Sequence, residues 1–498
     1  MGVPEEIRKV PRPTNTVVVA YGKNKDKYAV KERVGCRSVG GRKLPVDGRI
    51  VGHIVNGRYV PREVEEHIPT NEVDIKDYGN ILLCDHLFQD LLDSLRKVYC
   101  EAECQQIMCI AVLRACYPHI KDDELEKRYG QCFLSEMYPG VALSKNTVCD
   151  LLQRLGGAGL RIQRFLEARV EAARSKRLIV DGTLISDESS VNTLSNYSRK
   201  ARLKKSRDIS VIYAYDPDLM EPVCYKAYPG NMVDSRAFKD FIRENRLKNG
   251  IIVADKGFPP GSAKAEFAAN PDLHYLIAVK NSLKALRECG AFDFDIILDR
   301  EKGITASKNW SAGMGCWVYG FRTVSIAAEQ ERAYLARAGE DFDPEDLEEA
   351  REGFGVLMIL SDLDLDPALV YKVYDERWII EEAFRMYKDF EELDETRVHS
   401  DYSVYGTQFV NYLSTVLTCR LVKRFAEVEA LDRISYVKVL DILRSAQRAR
   451  LPDGSWMNRR MTAKDAGILA DLGVYQRPIV PKSPRGRPRK RKNQADIV

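Results

Sequence analysis

The chain has 498 residues, 45% hydrophobic and 30% charged, with 77 Lys+Arg against 73 Asp+Glu. That composition excludes disorder as the main reading and is long enough for more than one domain. Its longest apolar runs, 107–113 and 354–360, fall far short of the roughly 18 residues needed to cross a bilayer, so no membrane span is expected. Twelve scattered Cys with no CxxC pair, behind an N-terminus that lacks an apolar signal core, point to reduced thiols and a cytoplasmic location.

Residues 1–85 contain Thr-Val-Val-Val-Ala-Tyr (16–21), a Lys-rich stretch and many Gly, which predicts short strands and turns of no legible function. Helical periodicity takes over in 86–175. Within it, Cys100, Cys104, Cys109 and Cys116 near His119 are read as small buried apolar side chains in preference to a zinc site. The run 143–152, a polar cap ahead of an amphipathic helix, suits either the second helix of a helix-turn-helix or ordinary helical packing.

From residue 176 the pattern turns to apolar strands: 177–186, 209–216, 222–230, a helix at 235–247, then strands at 250–255 and 274–280. This order predicts an α/β fold with a mixed sheet, its first half over 176–285. Residues 286–352 read as an insertion, β-rich with Trp310 and Trp317, then acidic and helical. A strand at 354–362 and a long helix over about 366–390 resume the core through 353–425, followed by a helical region at 426–480. The last 18 residues hold seven Lys/Arg and one Asp; with +6 there and +4 overall, the other 480 residues sum to −2. This Pro/Gly-interrupted tail reads as an arm for a polyanion or as a solubilising tail. Arg485-Gly486-Arg487-Pro488, followed by Arg489, resembles the core of an AT-hook, which fits a narrow A·T-rich minor groove.

With six His and no HExxH or GxSxG, carboxylates must carry any catalysis. Asp181 ends the apolar run Leu178-Ile179-Val180, and Asp255 ends Ile251-Ile252-Val253-Ala254. A lone carboxylate on a strand that demands burial is costly, and two such acids in one sheet suggest a shared cation. Tyr374, Arg377, Glu381 and Lys388, spaced by three, four and seven residues, share one face of a helix; Glu382 lies off that stripe. Three carboxylates from separate elements suit two Mg²⁺ ions about 3.5–4 Å apart, with neighbouring cations on phosphates. Arg199, Lys200, Arg202, Lys204 and Lys205 make a basic loop suited either to phosphate or to solvent.

These motifs resemble those of the DDE transposases of bacterial insertion sequences, in the group with the signature Tyr-x2-Arg-x3-Glu-x6-Lys. Tyr374, Arg377, Glu381 and Lys388 match it without a gap; Val180-Asp181-Gly182-Thr183, Ala254-Asp255-Lys256-Gly257-Phe258 and Gly230-Asn231 with Asp234 resemble the accompanying motifs. The resemblance implies a ribonuclease H-like core with a β-rich insertion, preceded by a helical domain. It further implies Asp181, Asp255 and Glu381 as catalytic and metal ligands for Mg²⁺, with Mn²⁺ as substitute. Tyr374, Arg377 and Lys388 would contact terminal phosphates, and Trp310 or Trp317 would stack on an extruded base. The expected partners are terminal inverted repeats and target DNA, bound by a homodimer in a prokaryotic cytoplasm, at the nucleoid. A nuclease that never joins strands, and an idle DNA-binding descendant of such an enzyme, are the alternatives.

Overall fold

A computed structural model describes residues 3–22, 27–39, 42–62, 73–173, 175–187, 189–198, 207–232, 234–281, 284–338, 342–381, 395–396, 400–432 and 434–474. Residues 1–74 and 75–498 are two units.

In the first unit β1 (Thr16–Tyr21), β2 (Lys27–Val39), β3 (Arg42–Val55) and β4 (Arg58–Pro61) form an antiparallel sheet in chain order. Short strands were expected, yet β2 has 13 residues and β3 has 14. Register irregularities at Val30/Lys31, Lys31/Arg33 and Arg33/Gly35 let the long pair continue through its polar stretch. Val10, Val18, Val30 and Ile54 supply its small core.

The second unit opens with β5 (Ile75–Asp77) and the helices α1 (Gly79–Arg96), α2 (Glu101–Cys116), α3 (Lys145–Gly157) and α4 (Gly159–Glu171). Cys104, Cys109 and Cys116 are buried in this helical core, as the apolar reading of those residues requires, while Cys100 is exposed.

The strands β6 (Arg177–Asp187), β7 (Arg207–Asp216) and β8 (Glu221–Pro229) follow as an antiparallel meander. Helix α5 (Asp234–Glu244) then buries Ala237, Phe238, Phe241 and Ile242 on one face and carries the chain across to β9 (Asn249–Ala254). β9 lies parallel to β6, and β10 (Asp272–Val279) lies parallel to β9. Reading across these five gives β8-β7-β6-β9-β10, the ribonuclease H-like order, with β6, β9 and β10 mutually parallel. Their continuous apolar runs reflect a sheet covered on both faces.

β11 (Ile296–Asp299), β12 (Ile304–Ser311) and β13 (Cys316–Thr323) come next, then α6 (Val324–Ala338), α7 (Pro344–Arg351) and β14 (Val356–Ser361). The β-rich insertion is no separate sheet: β14 pairs with β10, β13 with β14 and β12 with β13, extending the same sheet. The second edge of β10 is covered by β14, the strand that resumes the core, and the insertion's β13 and β12 add beyond it.

Helix α8 (Pro367–Asp375) follows, and β15 (Glu395–Thr396) lies parallel to β6 at Ser186 and Asp187. Then come α9 (Asp401–Glu427), α10 (Tyr436–Ser445), β16 (Gln447–Arg450), β17 (Trp456–Asn458) and α11 (Ala463–Asp471). The region 426–480, expected to be helical, thus includes a hairpin, which pairs with β5. α9 is buried almost all round, as the central helix of a large core must be. Its Tyr412 stacks on Tyr225 of β8 with ring centroids 5.2 Å apart, and the Tyr412 hydroxyl donates to the Val223 carbonyl at 2.9 Å. Among the described residues no helix is long and apolar enough to cross a membrane.

Candidate active site

Ile179 and Val180 are buried in β6, and the next residue, Asp181, is held by the Gly182 N–H, which donates to its Oδ1 at 2.8 Å. Asp255 directly follows β9, and the Lys256 N–H donates to its Oδ1 at 2.7 Å. The register pairs Val180 with Ala254, so each acid sits one residue past that pair. Adjacent strands are about 4.8 Å apart, which makes the two carboxylates neighbours.

Helix α8 and the turn and short helical segment after it bring the remaining groups. The Tyr374 hydroxyl donates to Asp255 Oδ1 at 3.3 Å. The Arg377 guanidinium bridges the other two acids, with Nη2 2.7 Å from Glu381 Oε1 and Nη1 3.6 Å from Asp181 Oδ2. Its centre lies 5.6 Å from that of the Tyr374 ring, and its buried Nε–H has no hydrogen-bond partner. Three acids from a strand, a strand end and a helical segment thus surround one cation.

The single helix expected over about 366–390 is not continuous. α8 stops at Asp375, a turn covers Glu376 and Arg377, and helix resumes at 378–381. Tight bonds span the break, from the Arg377 N–H to the Tyr374 carbonyl at 3.1 Å and from the Ile380 N–H to the Arg377 carbonyl at 3.2 Å. Glu376, at the break, accepts from the Arg177 guanidinium at 2.8 Å, which ties the turn to the start of β6.

Burial pushes the Asp181 carboxyl up to about 6, reinforced by Asp255 and Glu381 and opposed by the Gly182 N–H and Arg377. Desolvation outweighs the nearby guanidinium here, and three carboxylates face that one cation. Burial and the Asp255 charge both push the Tyr374 phenol up, so it stays a donor at neutral pH. Burial works against the charge of Arg377, but Tyr374, Asp255, Asp181 and Glu381 outweigh it and hold the guanidinium firmly protonated.

Among the described residues no three His, Cys, Asp or Glu side chains stand close enough together to hold a metal ion. Arg377 separates Asp181 from Glu381 instead. The donor set nonetheless fits a hard divalent cation: each of the three acids offers carboxylate oxygens, and one guanidinium faces all three.

The supporting turns are built from close approaches. A Cβ at Gly230 would stand 2.0 Å from the Asp208 carbonyl oxygen, so glycine is required after β8. Asp234 opens α5 beside Gly257, where a Cβ would meet its Oδ2 at 3.1 Å. Phe258 then packs on Phe238 with ring centroids 5.4 Å apart. The segment Gly230–Asp234 is thereby fastened to the turn that follows Asp255.

Residues 173–405 match the family model described as the transposase DDE domain. The matched segment spans just under half of the chain. It includes Asp181, Asp255, Tyr374, Arg377 and Glu381. The chain also aligns with a solved structure, the cryo-EM structure of a piggyBac transposase synaptic complex with hairpin DNA, at 12% identity and a TM-score of 0.41, over 74% of this chain and 80% of that one. No curated protein matches.

Not every expected residue joins this site. Lys388, Glu382 and the basic loop Arg199–Lys205 lie outside the described residues, as do Arg485, Arg487 and Arg489. Trp310 and Trp317 face each other across β12 and β13, with ring centroids 5.6 Å apart. They lie four and three strands from β9, roughly 15–20 Å sideways from Asp255. Trp378, which the sequence reading passed over, directly follows Arg377 and is 59% exposed. The candidate recognition helix, α3, buries Val148, Leu151, Leu152 and Leu155 and leaves Lys145, Asn146, Gln153 and Arg154 exposed.

Proposed function

We propose that the chain is a transposase of the insertion-sequence type that binds the terminal inverted repeats of its element, cuts the DNA there and joins the freed 3′-hydroxyl to target DNA. The observation that carries this reading is the convergence of Asp181, Asp255 and Glu381 around Arg377 and Tyr374. Asp181, Asp255 and Glu381 would hold Mg²⁺, or Mn²⁺ in its place, whose chemistry there is to activate an attacking oxygen and neutralise a departing one.

The other side chains bind and orient. Arg377 supplies a planar fork and an unpartnered Nε–H for phosphate oxygens. Tyr374 stays a neutral donor, and Lys388 adds a point charge on the same sequence stripe. Trp378 offers an exposed aromatic face beside the phosphate ligand, better placed for a base than Trp310 or Trp317. Arg485, Arg487 and Arg489 would follow the DNA backbone or an A·T-rich minor groove. A homodimer bridging two ends, in the cytoplasm and at the nucleoid of a prokaryote, completes the reading.

The test is incubation of the full chain, with Mg²⁺ or Mn²⁺, and DNA carrying the inverted repeats that flank its gene. Metal-dependent cleavage and strand joining are expected, reduced at least about a hundredfold in Glu381→Gln while DNA binding persists. Cleavage without joining, even with target DNA supplied, would favour the hydrolytic nuclease. Binding with no cleavage would favour the idle descendant.

A further inference from the structure

A second cationic surface lies on elements that carry none of the acids. On the small sheet β5-β16-β17, the register pairs Arg448 with Lys76 on one side and with Asn458 on the other, and pairs Arg450 with Trp456. Alternation along β16 puts Arg448 and Arg450 on the same face, opposite the buried Ala449. This face is built on aromatic rings: the Arg448 guanidinium centre is 3.6 Å from the Tyr78 ring centroid, while Lys76 and Arg450 lie 5.6 and 6.0 Å from that of Trp456. Trp456 in turn packs edge-on against Phe133 at 5.2 Å.

Nearby carboxylates are already engaged. Glu136 takes Lys76 at 2.5 Å, Asp77 accepts from Tyr117 and Gln447, and Asp453 accepts from Ser455 in the hairpin loop. Arg448 donates to Asn458, a neutral partner, and Arg450 lies within electrostatic reach of Glu136 without pairing to it. Among the described residues, Arg448 and Arg450 form no ion pair. Cations positioned by rings and amides keep their full charge for an external anion, unlike cations neutralised by carboxylates. Beside Arg448 a groove of about 630 Å³ runs past Tyr78 and Asn458 to Val474.

We propose that the β16–β17 hairpin is a docking surface for the phosphate backbone of duplex DNA, independent of base sequence and separate from the catalytic acids. It rests on DNA being this protein's partner and not on the chemistry at Asp181. The guanidiniums of Arg448 and Arg450, held on one strand face, suit neighbouring phosphates of a duplex.

The test is salt-dependent binding of the full chain, without divalent metal, to a labelled duplex of scrambled sequence, measured by anisotropy. Arg448→Gln with Arg450→Gln should bind about fivefold or more weakly at low salt, with a log–log salt slope shallower by about 1 to 2. Arg448→Lys with Arg450→Lys should restore the slope, and Lys284→Gln with Lys302→Gln should leave it unchanged. If the double Gln variant unfolds, Arg450→Gln alone should show about half the change in slope. An unchanged slope in the Gln variants, an equal change in the Lys284/Lys302 control, or a duplex RNA of equal length binding tenfold more tightly would each overturn the proposal. Scrambled duplex offers no repeat ends, so its binding is independent of whether the chain cuts them.

Discussion

Asp181 is where burial has its sharpest effect on a single residue. Its carboxyl is pushed from the ordinary 3.8 up to about 6, so between those values the folded chain keeps a proton that the unfolded chain has lost. Stability from this group is therefore greatest below the unfolded pKa and falls as pH rises through about 6, by on the order of 3 kcal/mol for a shift of that size. Metal-free protein should lose thermal stability between pH 4 and 7 relative to Asp181→Asn, and added Mg²⁺ should recover part of the loss at pH 7. A melting difference between the two proteins that stays flat with pH would contradict this account. The acid was legible in the sequence because a charge interrupts an apolar strand. Its partner was less so: Arg377 belonged to a stripe, and only the fold shows that its guanidinium reaches both Glu381 and Asp181.

Elements were read best where their period was clean. The strands from β6 to β10 and helix α5 lie within a few residues of their expected bounds, because long apolar runs and amphipathic spacing are local signals. The break at Glu376–Arg377 was not legible, since nothing in that run is a helix breaker; the Glu376 pairing with Arg177 of β6 accompanies it. The contact of α3 with α9 was equally hidden. A Cβ at Gly406 would stand 1.9 Å from the Leu152 carbonyl oxygen, and one at Gly156 would stand 1.8 Å from that of Tyr402. Gly406→Ala should cost about 2–3 kcal/mol in denaturant unfolding, because two backbones must separate. Gly157→Ala, with open space around it, should be neutral or stabilise by a few tenths of a kcal/mol. Equal effects at the two sites would refute the close helix contact.

Across the second unit, a buried charge network joins the helical half to the catalytic sheet. Glu221 of β8 accepts from Arg169 of α4 and from Arg420 Nε of α9 at 2.7 Å, and Arg420 Nη2 reaches Asp90 of α1 at 2.8 Å. Four elements meet at these charges, and Glu221 is almost fully buried. Glu221→Gln should destabilise the fold by about 3–5 kcal/mol, since it leaves two guanidiniums short of a countercharge. Asp90→Asn, at a side chain 58% exposed, should cost less than about 1 kcal/mol. Comparable losses in denaturant melts of the two variants would show that the network is not centred on Glu221.

Sequence alone determined the acids that close apolar runs, the spacing of Tyr374, Arg377 and Glu381, the α/β order and the basic tail, since all of these are set by neighbours within a few residues. Tertiary structure decided what depends on distant pairing. It made the insertion the continuation of the catalytic sheet, set the Trp310–Trp317 pair four and three strands away from β9, and assembled Lys76, Tyr78, Phe133, Arg448 and Trp456 into one cationic face. The members of that face are separated by up to 380 positions in the chain. Periodicity carries no information across such separations, because strand pairing and side-chain stacking are chosen by competition among every apolar surface the chain can bury.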